Sequence, residues 1–326
     1  MQCNLGPARL AALVAAFSLF LAIAPGAAAN HVQCGDVITT SVKLDSDIVC
    51  TDVDDKNEAG LTIGASNITF DARGYRIRNT FGSDEGLAMT TNGAYSGVVI
   101  KNIGGTGGFA FDLSRLQLSD SKVKNNNLDA LYGALNVKGD RNIINHNSID
   151  TAYEGISMTG ADNRAVQNDI VAFEGAGILA SGNGIRIANN NLRALGAIFG
   201  GIRVFGFTNA VVTGNDVSEF VFGIRLENGA GASVTRNFVH DNYYGGGIVI
   251  SSDVSNVDLR RNIAIANGGT DGNGISVDAP SATITRNTAN DNGNYGIAAV
   301  PGVTDGGGNR ASGNGNPAQC VGVRCK

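Results

Sequence analysis

The chain is 326 residues long and carries 24 Lys and Arg against 29 Asp and Glu, a net charge of −5 without a basic tract. That balance makes nucleic acid and anionic membrane surfaces poor partners. At 43% hydrophobic the chain is too apolar to be disordered, and 46 glycines with five prolines and no tryptophan describe a protein rich in turns.

The first predicted element is a leader. Arg9 precedes an apolar run from Leu10 to Ile23, which Pro25 and the small residues Ala27, Ala28 and Ala29 follow. This is the pattern of a secretory signal peptide, residues 1–29, cut after Ala29. The run is shorter than the ~20 apolar residues a membrane span needs, and no later stretch is longer. The expected mature chain therefore begins at residue 30, is secreted or periplasmic, and has no membrane span.

Cys34 and Cys50 come next, and with Cys320 and Cys325 they form an even set at the two ends of an exported chain. Cys34–Cys50 with Cys320–Cys325 is the economical pairing among three connectivities. The spacings lack the paired Cys-x-x-Cys elements of a zinc site. Just after Cys50, Asp52 to Glu58 (DVDDKNE) invites calcium, the one cofactor the sequence raises. The stretch lacks the glycine and terminal glutamate of an EF-hand loop and reads as a solvated loop, so no metal ligand is assigned.

From Gly155 onward a repeat dominates. GISM, GILA, GIRV, GIRL, GIVI, GISV and GIAA open at Gly155, Gly177, Gly201, Gly223, Gly247, Gly274 and Gly296, at intervals of 22 to 27 residues. A second marker, aliphatic-x-x-Asn, follows each of the first six openings and carries Asn168, Asn190, Asn215, Asn237, Asn262 and Asn287; Asn147 and Asn126 or a neighbour carry it earlier. Inside a repeat the apolar period is two, as in Ile224 and Leu226 around Arg225, which marks short half-buried strands. Three strands in ~22 residues, closed by turns, predict an all-β solenoid. The asparagines suit tight left-handed turns and can stack their amides from rung to rung.

These markers resemble the repeats of right-handed parallel β-helix proteins, the fold of pectate lyases and their relatives. LTIGASNITFDARGYRI, residues 61 to 77, resembles a rung common near the start of exported bacterial β-helix proteins. The resemblance runs from about Cys34 to Asn309. It implies a single-stranded right-handed parallel β-helix of roughly a dozen rungs over residues 30–310, a rod about 55 to 60 Å long. Residues 311–326 would then form a disulfide-closed tail, and both cysteine pairs would fall where the ends of the coil need caps.

On this fold a substrate groove, as the resemblance implies, runs along the outward face of the strand that opens each rung. The outward positions two after the repeat glycine are Ser157, Leu179, Arg203, Arg225, Val249, Ser276 and Ala298. Arg203 and Arg225 would stack ~4.8 Å apart, which calls for an anion, either Glu227 on the same strand face or a uronate or sulfate group of a polysaccharide. Arg203, Arg225, Glu227 and Tyr243 are therefore the candidate substrate contacts. Catalysis by proton abstraction from a uronate would need a base, His240 or Tyr244, with Arg203 or Arg225 steadying the anion. A glycosidase would need two facing carboxylates, and Glu219 with Glu227 or Asp241 is the best such pair. Eight aromatics between Phe199 and Tyr244 could offer stacking platforms, with most phenylalanines expected inside the coil or covering it.

The chain lacks the Asp-Pro-His of mannuronan epimerases, the Gly-His-Gly and Arg-Ile-Lys of polygalacturonases and the acidic calcium cluster of pectate lyases. The expectation is a secreted or periplasmic β-helix protein that binds or processes acidic polysaccharide, by lyase- or epimerase-type proton abstraction if catalytic. The alternative is a non-catalytic exported structural, adhesive or carbohydrate-binding module.

Overall fold

Aliphatic residues at every second position give each short segment one apolar face, and that face has to be buried against other segments of the same kind. In the computed structural model, which describes residues 31–80, 85–196 and 199–326, this is met by coiling. The expected leader, residues 1–29, lies outside the described residues. Val32–Lys326 forms one unit with no helix among its described residues. Its strands stack into a 15-stranded first sheet, a 12-stranded second sheet, and a third side made of a 3-stranded and a 9-stranded sheet. Successive strands of a sheet come from successive rungs and pair in parallel, as Ile202–Thr208 does with Phe222–Ala230. The solenoid of about a dozen rungs expected from the repeat is therefore present.

Register explains the Gly-Ile marker. Leu135, Ile156, Ile178, Ile202, Ile224, Ile248, Ile275 and Ile297 occupy one register position of the first sheet. All are at most 1% exposed, so they form one continuous inward column. The glycine before each isoleucine lies at the corner where the third side turns into the first sheet. A Cβ on Gly201 would collide with the Val217 side chain across that corner.

The same corner position holds Ala88 and Ala134 in earlier rungs, and between them, by register, Asp112. The Asp112 side chain is fully buried, its Oδ2 accepts a 2.6 Å hydrogen bond from Thr106 Oγ1, and its Oδ1 has no partner. Burial pushes this carboxyl up to about 8, with the neighbouring Asp129 charge adding to the rise.

The second marker performs one of the two jobs expected of it. Asn126, Asn147, Asn168, Asn190, Asn215, Asn237, Asn262, Asn287 and Asn309 form a buried ladder at the corner between the second sheet and the third side. In each rung the Oδ1 atom accepts from both the backbone N–H and the Nδ2 of the asparagine below. The left-handed turn falls instead on the residue before the ladder. Gln167, Asn189, Arg236, Arg261 and Arg286 all have φ between 54° and 56°. The corner needs both a positive φ and a buried amide, and one residue cannot supply both. A second amide ladder, Asn242, Asn267, Asn292 and Asn314, turns the third side into the first sheet over the last rungs.

Both disulfides form, Cys34–Cys50 in the first rungs and Cys320–Cys325 in the last. The coil runs past the expected boundary at residue 310, because Arg310–Ser312 ends the third side and Cys320–Val321 is the last strand of the first sheet. In the acidic loop the Asp55 and Glu58 carboxylates accept backbone N–H groups of Asn57 and Asp54. Among the described residues no helix is long and apolar enough to cross a membrane, and no group of three acidic, histidine or cysteine residues is placed to hold a metal.

Candidate functional site

The outward column of the first sheet passes in register through Asn136, Ser157, Leu179, Arg203, Arg225 and Val249. Arg203 and Arg225 are directly paired neighbours, and one carboxylate serves both. Glu227 Oε2 lies 2.7 Å from both Nε and Nη2 of Arg203. Glu227 Oε1 is 2.6 Å from Arg225 Nε, an ion pair without hydrogen-bond alignment. The Glu227 side chain is only 16% exposed, against 47% and 40% for the two arginines. The triad thus keeps one net positive charge and presents free guanidinium N–H groups to solvent. Each guanidinium also rests near a ring, Arg203 at 5.5 Å from Phe205 and Arg225 at 5.4 Å from Phe222.

This triad closes one end of a groove of about 830 Å³ that lies along the first sheet. At the other end Phe111, Tyr132 and Tyr153 step along successive rungs, with ring centroids 5.8 and 5.6 Å apart and tilted by 35° and 31°. The floor between is bare because Gly133, Ala176 and Gly200 share one outward register position. A Cβ at Gly200 would collide with the Phe222 ring that walls the groove.

Glu154 stands in that same column, between Gly133 and Ala176. Its carboxyl is raised above the usual carboxylate range by desolvation, and no side chain among the described residues pairs with it. Tyr153, its chain neighbour, also titrates high, first because of the Glu174 carboxylate beside it.

Arg203, Arg225 and Glu227 are brought together as the sequence implied. His240, Tyr243 and Tyr244 are placed elsewhere, and the proposed base and arginines do not share a site. His240 ends strand Phe238–His240 of the third side, where it pairs in register with Ser218 and Ile265. Its ring stacks on Phe238 at 4.3 Å and contacts Asp216 at 3.1 Å and Asp241 at 2.7 Å. Tyr243 and Tyr244 occupy the following corner, 42% and 78% exposed, outside the groove lining. The segment VHDNYYGGG bends around a corner, so neighbours in sequence face different directions.

Of the carboxylate pairs, Glu219 and Asp241 follow the paired Ser218 and His240 and are neighbours one rung apart at the corner beyond the third side, but neither lines the groove. Glu219 faces Arg193 on the third side at 3.2 Å rather than Glu227. Glu154 and Glu227 both line the groove, but three rungs and five strand positions separate them, roughly 20 Å. That exceeds the ~5 to 9.5 Å between the two carboxyls of a glycosidase. Among the phenylalanines, Phe207 and Phe220 are interior, while Phe199 and Phe222 line the groove.

With the geometry in place, the family follows. The model of the right handed beta helix region matches residues 154–316, half of the chain. The chain belongs to the right handed beta helix family.

Among curated proteins no sequence matches. Among solved structures, the β-helix is similar to the DFA-IIIase from Arthrobacter chlorophenolicus A6 without its lid, at 17% identity over 90% of this chain and 88% of that one, with a TM-score of 0.53. It is also similar to the Dettilon tailspike protein, at 14% identity and a TM-score of 0.54, covering 88% of this chain and 61% of the tailspike. The Streptococcus pneumoniae surface protein and adhesin PfbA matches at 12% identity and a TM-score of 0.52, over 89% and 88% of the two chains. At these identities the likeness is one of fold. An enzyme, a tailspike and an adhesin share the scaffold, so function has to be argued from the groove.

Proposed function

We propose that this β-helix is an exported protein that binds an acidic polysaccharide along the groove of its first sheet. The observation that carries the reading is the composition of the groove: an aromatic staircase at one end and two guanidiniums sharing one carboxylate at the other. Sugar rings present apolar C–H faces that suit exposed aromatic rings, and a uronate carboxylate or sulfate suits a guanidinium fork. The steps of 5.6 and 5.8 Å follow the rung spacing, so an extended glycan can place successive rings along the coil axis. The two disulfides support an oxidising compartment, secreted or periplasmic.

A second reading, catalysis, is favoured by Glu154. A half-buried carboxyl with a raised pKa and no partner, facing a groove, is suited to proton transfer. Proton abstraction beside a uronate carboxylate would also need a cation on the same sugar ring. The arginines lie at the far end of the groove, and binding is therefore the reading we put first.

Calorimetric titration with hexagalacturonate and with a neutral hexasaccharide, at low and at moderate salt, tests this. The wild-type protein is expected to prefer the uronate, with the preference shrinking as salt rises. Arg225→Ala should abolish the preference, whereas Tyr153→Ala should weaken both ligands about tenfold, the loss of one stacking contact. No heat from either ligand at millimolar concentration would remove the reading.

A further inference from the structure

Tyr132 and Tyr153 belong to two hollows at once. One side of the pair walls the long groove, and the other walls a second hollow of about 280 Å³, completed by Leu131, Ala152, Phe173 and Glu174. The tyrosines therefore stand as a fin between the two spaces. Leu131 and Phe173 are 41% and 42% exposed, a leucine and a phenylalanine that flank Ala152 at one register position of three successive rungs. Glu174 contributes the hollow's one charged group, and its carboxylate lies beside Tyr153.

An apolar floor with a hydrogen-bonding carboxylate at its rim matches a pyranose ring, which has a C–H face and an equatorial belt of hydroxyls. A carboxylate accepts from sugar hydroxyls and repels a second acid group, so the sugar that fits is neutral. The shared wall supplies the connection, since a substituent on a sugar in the groove reaches the second hollow by crossing only the tyrosine fin. We infer that the second hollow is a subsite for a neutral sugar branch of the same glycan whose acidic backbone lies in the groove. The inference rests on the groove reading above and adds branching as what the protein recognises.

The test compares a linear oligogalacturonide with one of the same length carrying a single neutral hexose branch, titrated into wild-type, Phe173→Ala and Arg225→Ala proteins. The branched ligand is expected to bind the wild type about tenfold more tightly than the linear one. Phe173→Ala should remove that advantage while leaving the linear ligand unchanged, and its unfolding curve should match the wild type because the side chain is largely exposed. Arg225→Ala should weaken both ligands equally and leave the ratio between them intact. Equal wild-type binding of the two ligands, or a branch advantage that survives Phe173→Ala, would overturn the branch subsite while the groove reading stands. Failure of both ligands to bind the wild type would overturn the groove reading and this inference together.

Discussion

Replacing Asn190 by alanine should destabilise the protein by roughly 3 to 5 kcal/mol, far more than its surface-like polarity would indicate. Asn190 is 2% exposed and makes four side-chain hydrogen bonds. Its Oδ1 accepts from Asn168 N and Nδ2, both at 2.9 Å, and its Nδ2 donates to Ala165 O and Asn215 Oδ1, also at 2.9 Å. Alanine strands the Asn168 N–H and takes one bond each from Asn168 Nδ2, Ala165 O and Asn215 Oδ1 inside the coil, where water cannot reach them. The cost of stranding buried polar groups, rather than the modest net value of the bonds themselves, sets the magnitude. Asn191 is the internal control, because it is exposed and its side chain bonds only Asp169. Asn191→Ala should cost under about 1 kcal/mol. Urea unfolding of the two variants checks the contrast, and similar midpoints would show that the ladder contributes little.

Asp112→Ala should do the opposite, stabilising the protein at neutral and alkaline pH. The Asp112 carboxyl has its folded value raised to about 8 from 3.8. Between those values the folded state binds a proton that the unfolded state has released, so stability falls as pH rises from about 4 to about 8 and is level above. A gap of about four pKa units corresponds to at most roughly 6 kcal/mol over that window. Alanine completes the column with Ala88 and Ala134, and Thr106 Oγ1 keeps the Asp129 N–H as a partner at 2.8 Å. At pH 4.5 the variant and the wild type should lie within about 2 kcal/mol, the small void and the lost Thr106 hydrogen bond being offset by removal of a buried, half-satisfied carboxyl. At pH 8.5 the variant should be more stable by several kcal/mol. Taking the difference between the two proteins removes Glu154 and Asp150, whose carboxyls burial also raises. Parallel stability curves across this range would be incompatible with a neutral buried Asp112.

The fold was legible because a solenoid repeats its constraints. Each rung restates the inward isoleucine and the ladder asparagine, so Gly-Ile and aliphatic-x-x-Asn recur at a readable interval. The register of the first sheet follows from that interval alone, and it is why Arg203 and Arg225 could be expected side by side with Glu227 near. What the repeat conceals is direction at corners. His240 and Tyr244 are close in sequence to the arginine rungs but sit on and just beyond a strand of the third side.

The aromatic staircase carried a signal of its own. Phe111, Tyr132 and Tyr153 are spaced 21 residues apart, one short rung each. They lie upstream of the clearest repeats and outside the aromatic-rich region from Phe199 to Tyr244. Glu154 was hidden for another reason. It is the residue before the Gly-Ile marker, and only the coincidence of Gly133 and Ala176 above and below it exposes the carboxyl to the groove. That coincidence is visible in register, not in composition.

The measurement that bears hardest on the groove is a crystal structure of residues 30–326 grown with hexagalacturonate. Sugar density should run along the first sheet, with a pyranose ring against Tyr132 or Tyr153 and a carboxylate within hydrogen-bond reach of Arg203 or Arg225. A saturating ligand bound on the second sheet or the third side, with the groove occupied only by water, would contradict it.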